Sequence, residues 1–178
     1  IAADQLALSF YKSFDLPVAI LRPFNTYGDR MVAGGYGQVI PELINRINDE
    51  SFYIYGDGTQ TRCFAHVYDV IDAVIAIAFE DNTIGKVINI GNDFEISIND
   101  LAKMIIEISG KNIRIKHIEG PMGVRGRKSD NNLIREVLGW EPKMKLVDGI
   151  RQTYEWLIRE FENKIHRNFD LFLHLKNT

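Results

Sequence analysis

The sequence predicts an α/β fold. Stretches with apolar residues every three or four positions alternate with short apolar runs along the whole chain, the pattern of helices and strands in turn. The run Leu16-Pro17-Val18-Ala19-Ile20-Leu21 has the unbroken apolar character of a buried, parallel strand, and 86–90, closed by Gly91-Asn92, is a second such run.

Taken in order, residues 1–14 read as a helix with Leu6, Phe10 and Phe14 spaced four apart, followed by the strand at 16–21. The glycine-rich segment 29–36 reads as a loop able to order over a ligand, and 37–48 as a helix with Pro41 near its start. Phe52-Tyr53-Ile54-Tyr55 is a short strand, Gly56-Asp57-Gly58 a turn, and 61–67 a further strand. Asp69 is expected to cap a helix through Val70, Ala73, Val74, Ile77 and Ala78. Ser97 with Asp100 forms a weak capping box for a helix whose stripe is Ile98, Leu101, Met104, Ile105 and Ile108, with Gly110 at its end. Ile113 and Ile115 alternate with Arg114 and Lys116 in a half-exposed strand. Asp130 or Ser129 caps a helix over 131–138 that Gly139 ends, and 146–164 is the last clear helix. The apolar cluster Phe169, Leu171, Phe172, Leu173 and Leu175 in the tail has no evident place in such a fold.

Composition narrows the function classes. With 21 basic and 24 acidic residues the net charge is −3, which argues against a nucleic-acid or basic membrane face. No apolar run reaches the ~18–20 residues of a membrane span, and the single cysteine leaves neither a disulfide framework nor a structural zinc site. We expect a cytoplasmic protein without a metal. Because residues 1–14 begin inside a helix with no cap before Ile1, the chain is expected to be a fragment of a longer one.

The chemistry concentrates after the first strand, in Arg22-Pro23-Phe24-Asn25-Thr26-Tyr27-Gly28-Asp29-Arg30. A strand ending in these groups delivers them to the carboxyl edge of a sheet, where open α/β sheets bind ligands. A nucleoside-diphosphate ligand needs cations or oriented N–H groups, and each charge-assisted hydrogen bond contributes ~1.5–3 kcal/mol. Arg62, Arg125 and Arg127 are the candidates, a solvated surface role being the alternative. Gly120, Gly123 and Gly126 spell a G-x-x-G-x-x-G, but the strand before them alternates with charges and no helix opens within the run, so a basic loop closing on phosphate fits better than a dinucleotide loop. His66, His117, His166 and His174 are left out of the site, and Cys63 reads as core.

From residue 1 to 164 the chain resembles the extended short-chain dehydrogenase/reductase family of NAD-dependent nucleotide-sugar epimerases and dehydratases. The RPFNTYG segment, the G-x-G-x-Q-x-R segment ending at Arg62 and Leu138-Gly139-Trp140-Glu141-Pro142 carry the resemblance. It implies the C-terminal part of a Rossmann fold (1–30, with segments at about 65–100 returning to its sheet), a small substrate-binding domain (31–164) and a tail of unknown role (165–178). Residues 1–7 resemble the segment just after the lysine of the family's catalytic Tyr-x-x-x-Lys, and no tyrosine here has a lysine four positions later. No catalytic residue is therefore expected in the chain, and the fragment alone is expected to be inactive. The resemblance implies NAD or NADP beside Pro23 and Phe24, and a nucleotide-diphosphate sugar held by Asn25, Gln38, Val39, Tyr53, Tyr55, Arg62, Arg125 and Arg127. Core packing is an equal alternative for either tyrosine. A homodimer is implied for the full-length protein.

Branches of the family pull apart. Residues 120–132 resemble GDP-mannose 3,5-epimerases, although Asn45 and Arg46 stand where their acid/base lysine is expected. Residues 22–30 are at least as similar to UDP-sugar 4-epimerases and UDP-glucuronate decarboxylases. The reading that results is a UDP-sugar 4-epimerase type, with GDP-mannose 3,5-epimerase, 4,6-dehydratase or decarboxylase as alternatives. A non-catalytic nucleotide-sugar or NAD sensor is the alternative of another class.

Overall fold

The computed structural model describes residues 2–31, 38–121 and 123–176, with side chains through 162. Its helices are α1 (Ala2–Phe14), α2 (Val39–Asn45), α3 (Val67–Ala78), α4 (Ile98–Ser109), α5 (Asn132–Leu138) and α6 (Leu146–Lys176). The strands are β1 (Ile20–Pro23), β2 (Thr26–Tyr27), β3 (Ser51–Tyr55), β4 (Thr61–Cys63), β5 (Ala65–His66), β6 (Val87–Ile90), β7 (Glu95–Ser97), β8 (Arg114–Ile118) and β9 (Gly126–Arg127). Parallel pairs join β1 to β6, β2 to β5 and β3 to β8. A three-stranded sheet has β4 at its centre, antiparallel to β7 and parallel to β9.

Two apolar clusters hold these elements. The larger joins Phe52 and Ile54 of β3 to Leu43 and Ile44 of α2, Leu101 and Ile105 of α4, and Ile150 and Leu157 of α6. The smaller joins Val70, Ala73 and Ile77 of α3 to Ile88 and Ile90 of β6 and Ile134 of α5. Only the serine half of the expected capping box forms at α4: Ser97 Oγ accepts from Asp100 N–H at 3.0 Å, while the Asp100 carboxylate accepts from the Ser97 hydroxyl at 2.7 Å, and Gly110 closes the helix in the left-handed region. At α5 the Asp130 carboxylate accepts from Asn132 N–H, and Gly139 ends the helix.

Several expectations are corrected. The first strand is not 16–21 but Ile20–Pro23, because its paired register begins at Ile20 opposite Val87, and it is half-buried to exposed rather than buried. The single strand expected at 61–67 divides at Phe64 into β4 and β5, which belong to different sheets. Helix α3 is capped by His66, whose ring nitrogen Nδ1 accepts from Tyr68 N–H, not by Asp69. Asp69 is buried and accepts the backbone N–H groups of Lys143 and Met144 instead. Helix α2 is shorter than 37–48, its end tightening through Arg46 and Ile47 N–H bonds to carbonyls three residues back. The tail is not a separate segment in its backbone, since α6 runs on to Lys176. Val32 to Gly37, with the glycines of the expected ordering loop, lie outside the described residues.

Candidate functional site

The three-stranded sheet brings the arginines together. In the β4–β9 ladder Thr61 stands opposite Gly126 and Arg62 opposite Arg127, and Thr61 N–H bonds to Arg125 O at 2.9 Å. Paired residues of a parallel ladder project to one face, so Arg62 and Arg127 share a side of the sheet. Gly126 permits the approach, since a Cβ there would lie 3.2 Å from Thr61 Oγ1. The Arg62 guanidinium donates to Thr61 O at 2.6 Å. The ion pairs among the described residues join Arg22 to Asp4, Lys103 to Asp100, and Arg135 to Asp93 and Glu141, and none includes Arg62, Arg125 or Arg127.

Arg62 lines two cavities. One, of about 240 Å³, is bounded by Asn25, Gln38, Val39, Arg62 and Phe64. The other, of about 490 Å³, shares Val39 and Arg62 and adds Tyr53, Tyr55, Glu42 and Arg46. Five of the residues expected to touch substrate thus line cavities that share the side chain of a sixth, Arg62. Arg125 and Arg127 lie exposed on the neighbouring strand and its approach.

Strand alternation settles where the tyrosines point. Phe52 and Ile54 enter the core at 0% and 3% exposure, which leaves Tyr53 and Tyr55 on the opposite face at 44% and 50%. Core packing is therefore excluded for both. Tyr55 packs against Gly120, where a Cβ would come within 2.2 Å of its ring, so the loop after β8 rests on this tyrosine. Lys116 Nζ stands 5.8 Å from the centre of the Tyr53 ring, a cation–π distance.

Asn25 sits in a positive-φ turn (φ 38°) with Nδ2 donating to Cys63 O at 2.8 Å, which fixes the orientation of its amide. Gly28, at φ 148°, has no room for a side chain: a Cβ would lie 2.5 Å from Val67 Cγ1. Behind this turn Tyr27 packs edge-on against Phe64 and His66. Burial, with Asp69 and Asp148 nearby, pushes the Tyr27 hydroxyl above its ordinary value. His66 is buried, and that burial lowers its pKa against the opposing pull of Asp69 and Asp29. With Nδ1 accepting, the neutral ring carries its proton on Nε2.

Pro23 and Phe24 line neither cavity. They lie at the carboxyl end of the β1–β6 pair, where Phe24 N–H bonds to Ile90 O at 2.8 Å. The glycine triad does not open a helix, since Gly126 belongs to β9. Among the described residues no group of three His, Cys, Asp or Glu can hold a metal, and no helix is long and apolar enough to cross a membrane.

Sequence reasoning missed Glu42, Arg46 and Gln60 as cavity residues. Glu42 and Arg46 follow Val39 and Glu42 at helical spacings of three and four, a signal available in the sequence. Gln60 is 8% exposed and donates from Nε2 to Tyr55 O at 3.3 Å, a role that no periodicity announces.

Known proteins resemble this chain in sequence and in fold. The sequence model of the "NAD dependent epimerase/dehydratase family" matches residues 1–91. The chain is 35% identical over 177 residues to a GDP-mannose 3,5-epimerase of Arabidopsis thaliana, covering 98% of this chain and 46% of that protein. It is 36% identical over 156 residues to a UDP-N-acetyl-alpha-D-glucosaminuronate decarboxylase of Bacillus cytotoxicus, covering 83% and 48% respectively. Among solved structures, the UDP-glucose 4-epimerase of Thermotoga maritima with UDP-glucose superposes with a TM-score of 0.84 at 28% identity, covering 90% of this chain and 52% of that one. The chain spans about half the length of these relatives.

Proposed function

Because the chain belongs to the NAD dependent epimerase/dehydratase family and has its α/β Rossmann-like fold, we propose that it is the substrate-binding part of a nucleotide-sugar epimerase or dehydratase. The observation that carries this reading is Arg62, half-buried, outside every described ion pair and shared by two adjoining cavities. Arg62, with Arg127 beside it and Arg125 on the approach, grips the diphosphate through charge-assisted hydrogen bonds. Tyr53 and Tyr55 border the base end, and Asn25, Gln38 and Val39 the sugar-phosphate end. Asn25 uses one amide N–H on Cys63 O and has a second to offer a phosphate oxygen.

In this proposal residues 1–30 belong to the dinucleotide-binding domain, 31–164 form the substrate domain with segments at about 65–100 returning to the first domain's sheet, and 165–178, whose backbone continues α6 to Lys176, have no assigned role. Pro23 and Phe24 fit one wall of a nicotinamide site, being at the strand edge where α/β sheets bind ligands. NAD or NADP, when bound, supplies a hydride acceptor for oxidation of the sugar to a keto intermediate. These residues contribute remote binding energy that orients the sugar for chemistry performed by other groups. The 178 residues alone therefore turn over no substrate, lacking any Tyr-x-x-x-Lys. In the full-length protein, which we take to be a homodimer, the reaction is epimerisation at a keto-sugar, of the UDP-sugar 4-epimerase type that residues 22–30 resemble. The GDP-mannose 3,5-epimerase reading is favoured by a different observation: that relative aligns with 98% of the chain, the decarboxylase with 83%.

The test is calorimetric titration of the full-length protein with UDP- and GDP-sugars, alongside Arg62→Ala. Binding that falls about 10- to 100-fold on loss of Arg62, as expected for one or more hydrogen bonds to charge, supports the reading. Failure of the wild-type protein to bind either class of nucleotide overturns it.

A further inference from the structure

The larger cavity carries groups that a diphosphate grip does not need. Glu42 and Arg46 stand one turn apart on and just past α2, line the same space as Tyr53 and Tyr55, and form no ion pair with each other among the described residues. Here an acceptor and a donor are separately presented to a cavity walled by aromatic rings.

We propose that Glu42 and Arg46 read the base of the nucleotide and select guanine over uracil. The inference rests on the nucleotide-sugar reading of the cavity and, on the identity of the base, favours its GDP-sugar alternative over the UDP-sugar type. Guanine offers two adjacent donors, N1–H and the N2 amino group, which match the two oxygens of one carboxylate. Its O6 and N7 acceptors match the arginine fork. Uracil offers a single N3–H between two carbonyl oxygens, so a carboxylate that accepts from N3–H also faces the lone pairs of its flanking carbonyls. A site built around a hydrogen-bonded group rejects an analogue that lacks it, because its own polar groups are then left unpaired.

The experiment is calorimetric titration of the full-length protein with GDP, IDP and UDP, since IDP differs from GDP only by the missing N2 amino group. GDP should bind at least about tenfold tighter than IDP and tighter again than UDP, as one hydrogen bond to a carboxylate implies. Glu42→Ala, which leaves no acceptor for the N2 amino group, should abolish the difference between GDP and IDP. Arg46→Gln should weaken both purine nucleotides together, and keeps the test open if the Glu42 variant does not fold. UDP binding as tightly as GDP, or equal binding of GDP and IDP by the wild-type protein, overturns the guanine assignment while leaving the nucleotide-sugar reading intact. Binding of none of the three overturns both.

Discussion

The two apolar clusters are built on different terms. Around β3, α2, α4 and α6 the apolar faces meet one another, and Phe52, Ile44, Leu101, Ile105 and Ile150 are all fully buried. Around β1 and β6 they meet on one side only, where Ile88 and Ile90 of β6 are buried against α3 and α5. Helix α1 has no buried residue, Leu6, Phe10 and Phe14 are 61%, 45% and 73% exposed, and α3 leaves Ile71 and Ile75, with Phe79 just past its end, in the open while burying its opposite side. The same kind of periodic sequence thus gives a closed core in one region and uncovered stripes in the other. Periodicity specifies which face of a helix is apolar, and only the partner elements decide whether that face is buried. The candidate site grows from the closed region, which gives its side chains a rigid base.

Mutations can break or sharpen this contrast. The largest effect is expected at Phe52→Ala, which empties a fully buried position of the larger cluster and should cost about 3–5 kcal/mol in chemical denaturation. Phe14→Ala, on the uncovered stripe, should stay within about 0.5 kcal/mol, and a comparable cost at both sites would erase the distinction. Next comes Asp69→Ala. Its carboxyl oxygens, on α3 beside the smaller cluster, hold the Lys143 and Met144 N–H groups just before α6, a helix of the larger one. Losing both bonds should cost about 2–3 kcal/mol, and a loss near zero would show that the two regions are not tied there.

Gly28→Ala, at the turn joining β2 to the site, combines a positive φ with a 2.5 Å approach to Val67 Cγ1 and should destabilise by roughly 1–3 kcal/mol. The smallest effect is the pH dependence contributed by His66. Burial holds its folded pKa below the ordinary value of 6.5, so the unfolded chain takes up a proton more readily than the folded one. This contribution is fully present above about pH 6.5 and is lost as pH falls from there toward the depressed folded value. His66→Asn keeps an acceptor for the α3 cap and removes the titration, so its stability should change less steeply across that window.

Where a local signal is strong, the sequence reads correctly. Ser97 and Gly110 bound α4, Gly139 ends α5, and strand alternation already pairs Tyr53 with Tyr55 on one face. The illegible part lies in long-range pairing. Strands β2, β7 and β9 are two or three residues long, too short for any period to show, and exist because β5 or β4 lies beside them. Asp69 resembles a cap because an acidic residue opens an apolar helix, while its partners are 74 and 75 positions away. At the site, Arg62 and Arg127 are separate candidates in the sequence, and only the β4–β9 register makes them neighbours. Glu42 escapes notice, and Arg46 is seen only as a residue standing where a lysine is expected, because charges on a helix ordinarily mark a solvated face.

A crystal structure of the full-length protein with a bound nucleoside diphosphate tests the central claim most directly. The account predicts the diphosphate within hydrogen-bonding distance of the Arg62 guanidinium and the base in the cavity bordered by Tyr53 and Tyr55. A diphosphate bound away from Arg62, or a base outside that cavity, would contradict it.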